Sequence, residues 1–187
     1  MPSSDTTTRL LDAAVRSVRE HGYTGTGMQD LLRDAGVSSS SMYHFFPGGK
    51  EELVAAAIRR DGHAAAERLA EVLSGRALTE AIDAIFGAAA DEMAEHDFAL
   101  GCPIGVPATE VAADSEPIRE AASEVFAAWA ASYAAGLRSA GYDAGDADRM
   151  GRFIVATYEG AVALARATRS TVPYADAAAF LGAHLDR

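Results

Sequence analysis

Cysteine is nearly absent from this chain. Cys102 stands alone among 187 residues, which excludes an intrachain disulfide and a cysteine-based zinc cluster. Long apolar runs are missing as well. No stretch approaches the roughly 20 residues that a membrane-spanning helix needs, and the opening MPSSDTTTRLLDAAV has neither the basic start nor the apolar block of a signal peptide. These absences lead us to expect a cytoplasmic protein with no membrane partner. β-Branched residues are few: 11 Val, 6 Ile and 10 Thr stand against 42 Ala, poor material for sheet and good material for helix. Catalytic signatures are lacking too. There is no Walker loop, G-x-G-x-x-G or G-x-S-x-G, and the five histidines, His21, His44, His63, His96 and His184, form no H-x-x-x-H or HExxH pair. Glu92 and His96, four apart with Asp97 adjacent, read as a surface pair. The expectation is therefore no enzyme, no cofactor and no metal site.

Positive charge is also short, with 16 Lys+Arg against 27 Asp+Glu, a net of −11 and a pI near 4.8. An acidic balance argues at first against nucleic acid. Its distribution changes that. Residues 1–60 carry seven basic and seven acidic groups, whereas residues 61–187 carry nine and twenty, so the whole deficit lies in the last two-thirds. Such an asymmetry suggests two modules with different partners, or merely an acidic solvated face that aids solubility. Any contact with nucleic acid is expected within the first sixty residues.

With 49% apolar residues the chain is globular. Gly and Pro punctuate it into segments of helical length, predicting helices near 5–21, 27–34, 38–45, 50–74, 78–95, 103–113, 117–140, 145–169 and 174–185. The fold class is all-α. The most informative stretch runs from Thr26 to Lys50. Thr26 and Gln29 have capping-box spacing, predicting a helix from about Gly27. Met28, Leu31, Leu32 and Ala35 then form one apolar stripe. Gly36 suits a left-handed stop and Ser38 suits the next N-cap. In that second helix Met42, Phe45 and Phe46 point inward, leaving Ser39, Ser40, Tyr43 and His44 outside. Two short helices across a Gly turn are the helix-turn-helix pattern, whose second helix enters the major groove. Hydroxyls of Ser39, Ser40 and Ser41 suit base edges or phosphates, Tyr43 and His44 suit phosphate or sugar. Lys50 adds its ammonium to a helix N-terminus.

The stretch HGYTGTGMQDLLRDAGVSSSSMYHFFPGGKEEL resembles the DNA-binding domain of TetR-family transcriptional regulators, most specifically through AGVS and YHFFPGGKEEL. The resemblance covers residues 5–60 well. It implies an N-terminal three-helix helix-turn-helix domain, 1–49, followed by a helical ligand-binding and dimerisation domain, 50–187, with helix 50–74 connecting them. It implies double-stranded operator DNA as partner, with contacts at Thr26, Ser38, Ser39, Ser41, Tyr43, His44 and Lys50. One departure stands out: Ser39 and Ser40 occupy positions where the family often has Lys or Arg, then Gly. Gly101-Cys102-Pro103-Ile104-Gly105 is similar to the LmrA/YxaF-like branch, which implies a ligand-responsive homodimeric repressor.

The C-terminal part offers an aromatic set at helical spacing. Phe126, Trp129 and Tyr133 share a face that Leu137 continues, Phe153 and Tyr158 sit on the next long helix, and Phe86, Met93 and Phe98 lie upstream. They read either as plain core or as the lining of a mostly apolar pocket for a small inducer. Pro103 fits the first turn of a helix. Cys102 reads as a buried hydrophobe or a redox sensor, and His63 as a surface residue or a ligand contact. Ala156, Gly160, Ala163 and Ala167 make a small-residue stripe on 145–169, suited to close helix approach either within the chain or across a dimer. A helical small-molecule-binding protein or enzyme whose hairpin never touches DNA is the alternative function.

Overall fold

Helix boundaries fall where the breakers stand. The computed structural model describes residues 3–185, with side chains from Asp5, and its described elements are α1 (Ser3–Gly25), α2 (Met28–Ala35), α3 (Ser39–Phe45), α4 (Gly49–Ser74), α5 (Leu78–Glu95), α6 (Gly105–Val111), α7 (Glu116–Ser139), α8 (Ala144–Thr168) and α9 (Val172–Leu185). All-α organisation is as the composition predicts. Two starts differ. α2 begins at Met28 behind Gly27, which makes no side-chain cap, so the Thr26–Gln29 capping box does not form. α6 begins at Gly105 rather than Pro103, which lies in the preceding turn. Elsewhere capping follows the sequence: Ser38 Oγ accepts the Ser41 N–H at 3.2 Å, and the Asp143 carboxylate accepts the Asp146 N–H at 3.0 Å.

The packing divides the chain into two compact units. One comprises residues 1–62 and 101–125, the other 63–100 and 126–187. The division falls after Gly62 rather than at residue 50, and α6 with the first part of α7 joins the N-terminal unit. Backbone chemistry accounts for that return. The Gly101 N–H donates to the Arg19 carbonyl at 2.8 Å, the Arg19 guanidinium donates to the Gly101 carbonyl at 3.1 Å, and the Thr24 N–H donates to Glu110 on α6 at 2.9 Å. Below them Leu10, Ala14, Leu31, Met42, Leu53 and Ala57 form the core of this unit. In the second unit α5 and α8 pack on α9, around buried Ile82, Phe86, Leu137, Ile154, Tyr174 and Leu181.

The turn between α2 and α3 is fixed tightly. Gly36 adopts φ 62°, ψ 38°, the left-handed region that penalises a Cβ. Its N–H donates to Arg33 and the Val37 N–H donates to Leu32, the paired bonds of a Schellman stop. Arg9 on α1 donates to the carbonyls of Ala35 and Gly36 at 2.9 and 3.2 Å, tying the turn to the core. Gly36→Ala is expected to cost about 1 kcal/mol. In a chain of this size that lowers the melting temperature by roughly 2–4 °C. An unchanged melt would mean the turn relaxes freely.

Candidate DNA-reading helix and ligand cavity

α3 is only seven residues long and splits cleanly into two faces. Met42 is fully buried and Phe46, just past its end, nearly so, with Phe45 packed against the same core. Ser39, Ser40, Tyr43 and His44 face solvent, Tyr43 being 55% exposed. Ser38 caps the helix and donates its hydroxyl to Ser41 Oγ at 3.2 Å, so these two hydroxyls are partly engaged at the helix start. An exposed tyrosine beside three serines on a short rigid helix offers donors and acceptors without a competing internal ion pair.

Lys50 sits at the start of α4, half-buried, with its ammonium 4.2 Å over the Tyr23 ring, a cation–π contact. Burial lowers its pKa from the ordinary value and the Glu110 carboxylate pulls it back up. Burial likewise raises the Tyr23 hydroxyl, helped by Glu51. The amine is thus positioned by its own unit rather than swinging freely.

The second unit contains a cavity of about 660 Å³, within the range typical of small-molecule sites. Four helices wall it. α4 contributes Ala65, Leu69 and Val72, α5 contributes Ala84, Ile85 and Ala88, and α7 and α8 contribute Trp129, Tyr133, Val155 and Tyr158. The alanines leave the space and the aromatics shape it. Tyr158 meets Phe86, Trp129 and Tyr174 edge to face, with centroids 5.6, 6.4 and 6.2 Å apart. Tyr133 is 2% exposed, and burial pushes its hydroxyl far above the phenol range, so it stays a neutral hydrogen-bond donor.

Exposed apolar bulk is concentrated elsewhere. Among the described residues five large hydrophobics are exposed, and besides Tyr43 these are Phe153, Leu164, Val172 and Phe180, all on α8 and α9. Ala156, Gly160, Ala163 and Ala167 are exposed too. The small stripe therefore looks away from the protomer's own core.

Similarity to known proteins agrees with this geometry. Residues 10–57 match bacterial regulatory proteins of the tetR family, and residues 79–180 match the LmrA/YxaF-like transcriptional regulator C-terminal domain. The chain belongs to the TetR family. Among TetR-family relatives, the HTH-type regulator LmrA of Bacillus subtilis is 29% identical over 174 residues, 92% of this chain and 93% of that one. The regulator YxaF of the same organism is 29% identical over 170 residues, covering 90% and 89%. The reduced form of Escherichia coli NemR superposes with a TM-score of 0.84 at 26% identity, covering 97% of this chain and 95% of that one. These TetR relatives are transcriptional regulators. Among the described residues, no helix is long and apolar enough to cross a membrane.

Within this TetR chain several sequence expectations need correction. Thr26 is 2% exposed. Its hydroxyl donates to the Gly22 carbonyl at 2.7 Å and meets Ser17 Oγ at 3.0 Å, so it holds the α1–α2 junction instead of facing DNA. Phe153 is half exposed and lines no part of the large cavity. Of the aromatic set only Trp129, Tyr133 and Tyr158 line that cavity. Phe86 borders a separate groove beside Tyr174 on α9, and Phe126 borders a third with Arg152 and Ala156. Met93 is buried and Phe98 half-buried, both outside the cavity. Cys102 belongs to the first unit, buried, with its sulfur accepting the Gly105 N–H at 3.3 Å. His63 is exposed and does not line the cavity. Asp97, next to His96, pairs with Arg169. Sequence reading missed Ala65, Arg68, Leu69, Val72, Arg76, Ala84 and Ala88. The i, i+4, i+7 spacing of Ala65, Leu69 and Val72 was the available signal.

Proposed function

We propose that this protein is a homodimeric repressor that binds operator DNA through α3 and lets go when a small, mostly apolar ligand fills the four-helix cavity. The observation that carries the reading is the divided face of α3. Met42 and Phe46 anchor it, while Ser39, Ser40, Tyr43 and His44 remain outside, a surface of hydroxyl, phenol and imidazole groups suited to phosphates and base edges. Ser38, Ser41 and Lys50 flank that surface as phosphate contacts at two helix starts. One such helix covers too little DNA for specificity, and two copies reading half-sites about one turn apart supply the rest.

α4 begins shortly after α3 in the chain and its second half lines the cavity, giving ligand binding a covalent route to the DNA-reading unit. The ligand prefers a packing in which α4 shifts and the two α3 helices leave groove spacing. Tenfold release needs ~1.4 kcal/mol of differential affinity for that state.

The test is retention of the promoter fragment beside the protein's own gene against excess unrelated DNA at moderate salt. Failure to retain any specific fragment ends the repressor reading. Tyr43→Phe removes one hydroxyl per protomer, worth ~0.5–1.5 kcal/mol each, so about tenfold weaker operator binding is expected with an unchanged melt. If Tyr43→Phe and Lys50→Ala proteins fold and bind like wild type, α3 docks differently.

A further inference from the structure

We infer that the cavity ligand is an amphipathic anion, an apolar or aromatic body bearing one carboxylate or sulfonate, held by Arg68 and Arg76. The inference rests on the cavity being the ligand site. Both arginines line this mostly apolar space, and among the described residues neither has a carboxylate partner, whereas three other cations of the second unit do. Arg138 pairs with Asp148, Arg149 with Asp146 and Arg169 with Asp97. Both side chains are exposed, and in a chain with 27 acidic and 16 basic groups one cavity carries two guanidiniums with no carboxylate partner. They sit eight residues apart, Arg68 on the last two turns of α4 and Arg76 just beyond its end. The one carboxylate of the lining, Glu92, lies near the far end of α5, about 20 Å along that helix from its start beside Arg76.

The lining therefore carries two cations against one carboxylate. An anion entering at Arg68 and Arg76 gains charge-assisted, potentially bidentate bonds, while its apolar part lies against Trp129 and Tyr158. A neutral ligand of the same shape leaves both guanidiniums without a partner. Beyond a Debye length the acidic body is screened, so the local pair decides the selectivity.

The experiment compares two fluorescent probes of nearly equal shape, anilinonaphthalene sulfonate and its uncharged parent phenylnaphthylamine, titrated into the full chain. The anion is expected to bind at least about tenfold more tightly. Arg68→Gln with Arg76→Gln should erase that preference and leave the neutral probe within about twofold. Arg152→Gln, which removes the same charge outside this cavity, should preserve it. Ala88→Trp, which fills the cavity, should block both probes, and thermal melts verify that each variant folds. Equal binding of both probes by wild type, or a preference that survives loss of both arginines, overturns the inference. If Ala88→Trp still blocks both in that case, the cavity reading stands and only the anion falls. If Ala88→Trp blocks neither probe, the cavity itself is not the site and both readings fail.

Discussion

A protein carrying Leu164→Asp together with Phe180→Asp is expected to sediment as a monomer and to bind operator at least about 100-fold more weakly, with its helix content unchanged. In the single protomer these side chains are 58% and 56% exposed. Removing them costs the fold little, since surface substitutions of this kind usually fall within about 0.5 kcal/mol. Across a two-fold interface the cost is different. Each substitution occurs twice, it lands beside the stripe of Ala156, Gly160, Ala163 and Ala167, and it adds charge to chains that are already −11 each. An aspartate buried there without a partner opposes association strongly. Operator affinity follows because two tethered heads raise effective concentration by roughly 10²–10⁴ over one. Sedimentation velocity and an operator titration read the two effects separately. A dimer of unchanged tightness would place the interface elsewhere. Monomers that keep full operator affinity would break the link between dimerisation and DNA reading.

Features of the sequence that depend on local spacing were legible. Helix ends track Gly and Pro, and the inward set Met42, Phe45 and Phe46 on α3 follows from 3.6-residue periodicity alone. The left-handed stop at Gly36 and the cap at Ser38 also follow from single residues. Features set by distant partners were not. Thr26 has the side chain and spacing of an N-cap, but Gly22 and Ser17 on α1 claim its hydroxyl first. Phe153 and Tyr158 are both aromatic residues of α8. Five residues at about 100° each turn the helix by about 500°, which leaves the two side chains about 140° apart around its axis, so only one can face the cavity.

The cavity itself was hidden for a related reason. An Ala-rich helix reads as a favourable helix and nothing more, yet Ala65, Ala84 and Ala88 leave a cavity open only because two different helices, α4 and α5, bring them together. Arg68 and Arg76 look like ordinary surface cations, and only the packing of the helices places both on one cavity. The return of residues 101–125 to the first unit is of the same kind. Nothing local in Gly101 reveals its pair of bonds with Arg19, 82 residues away.

Gly151→Ala is expected to be among the most damaging single-methyl additions in the chain. A Cβ at Gly151 would stand 2.4 Å from the Ala130 carbonyl oxygen and 3.2 Å from the Ala134 amide nitrogen. Both neighbours are backbone, so no side chain can rotate away, and α7 and α8 must separate by about 1 Å to restore ordinary contact. Overpacking of this type costs ~1–3 kcal/mol, and at the upper end the melting temperature drops by roughly 6–12 °C for a chain of this length. The strain falls between the helices that present Trp129 and Tyr133 on one side and Val155 and Tyr158 on the other, so binding of phenylnaphthylamine should weaken alongside stability. Gly87→Ala on α5 is the matched control. Its added methyl meets nothing within 4 Å, and in a helix interior the exchange gains up to ~1 kcal/mol. Thermal melts of the two variants should therefore move in opposite directions, down for Gly151→Ala and level or up for Gly87→Ala. Equal melts would mean that α7 and α8 are not held at the separation Gly151 permits, and that the cavity wall they form is looser than its packing implies.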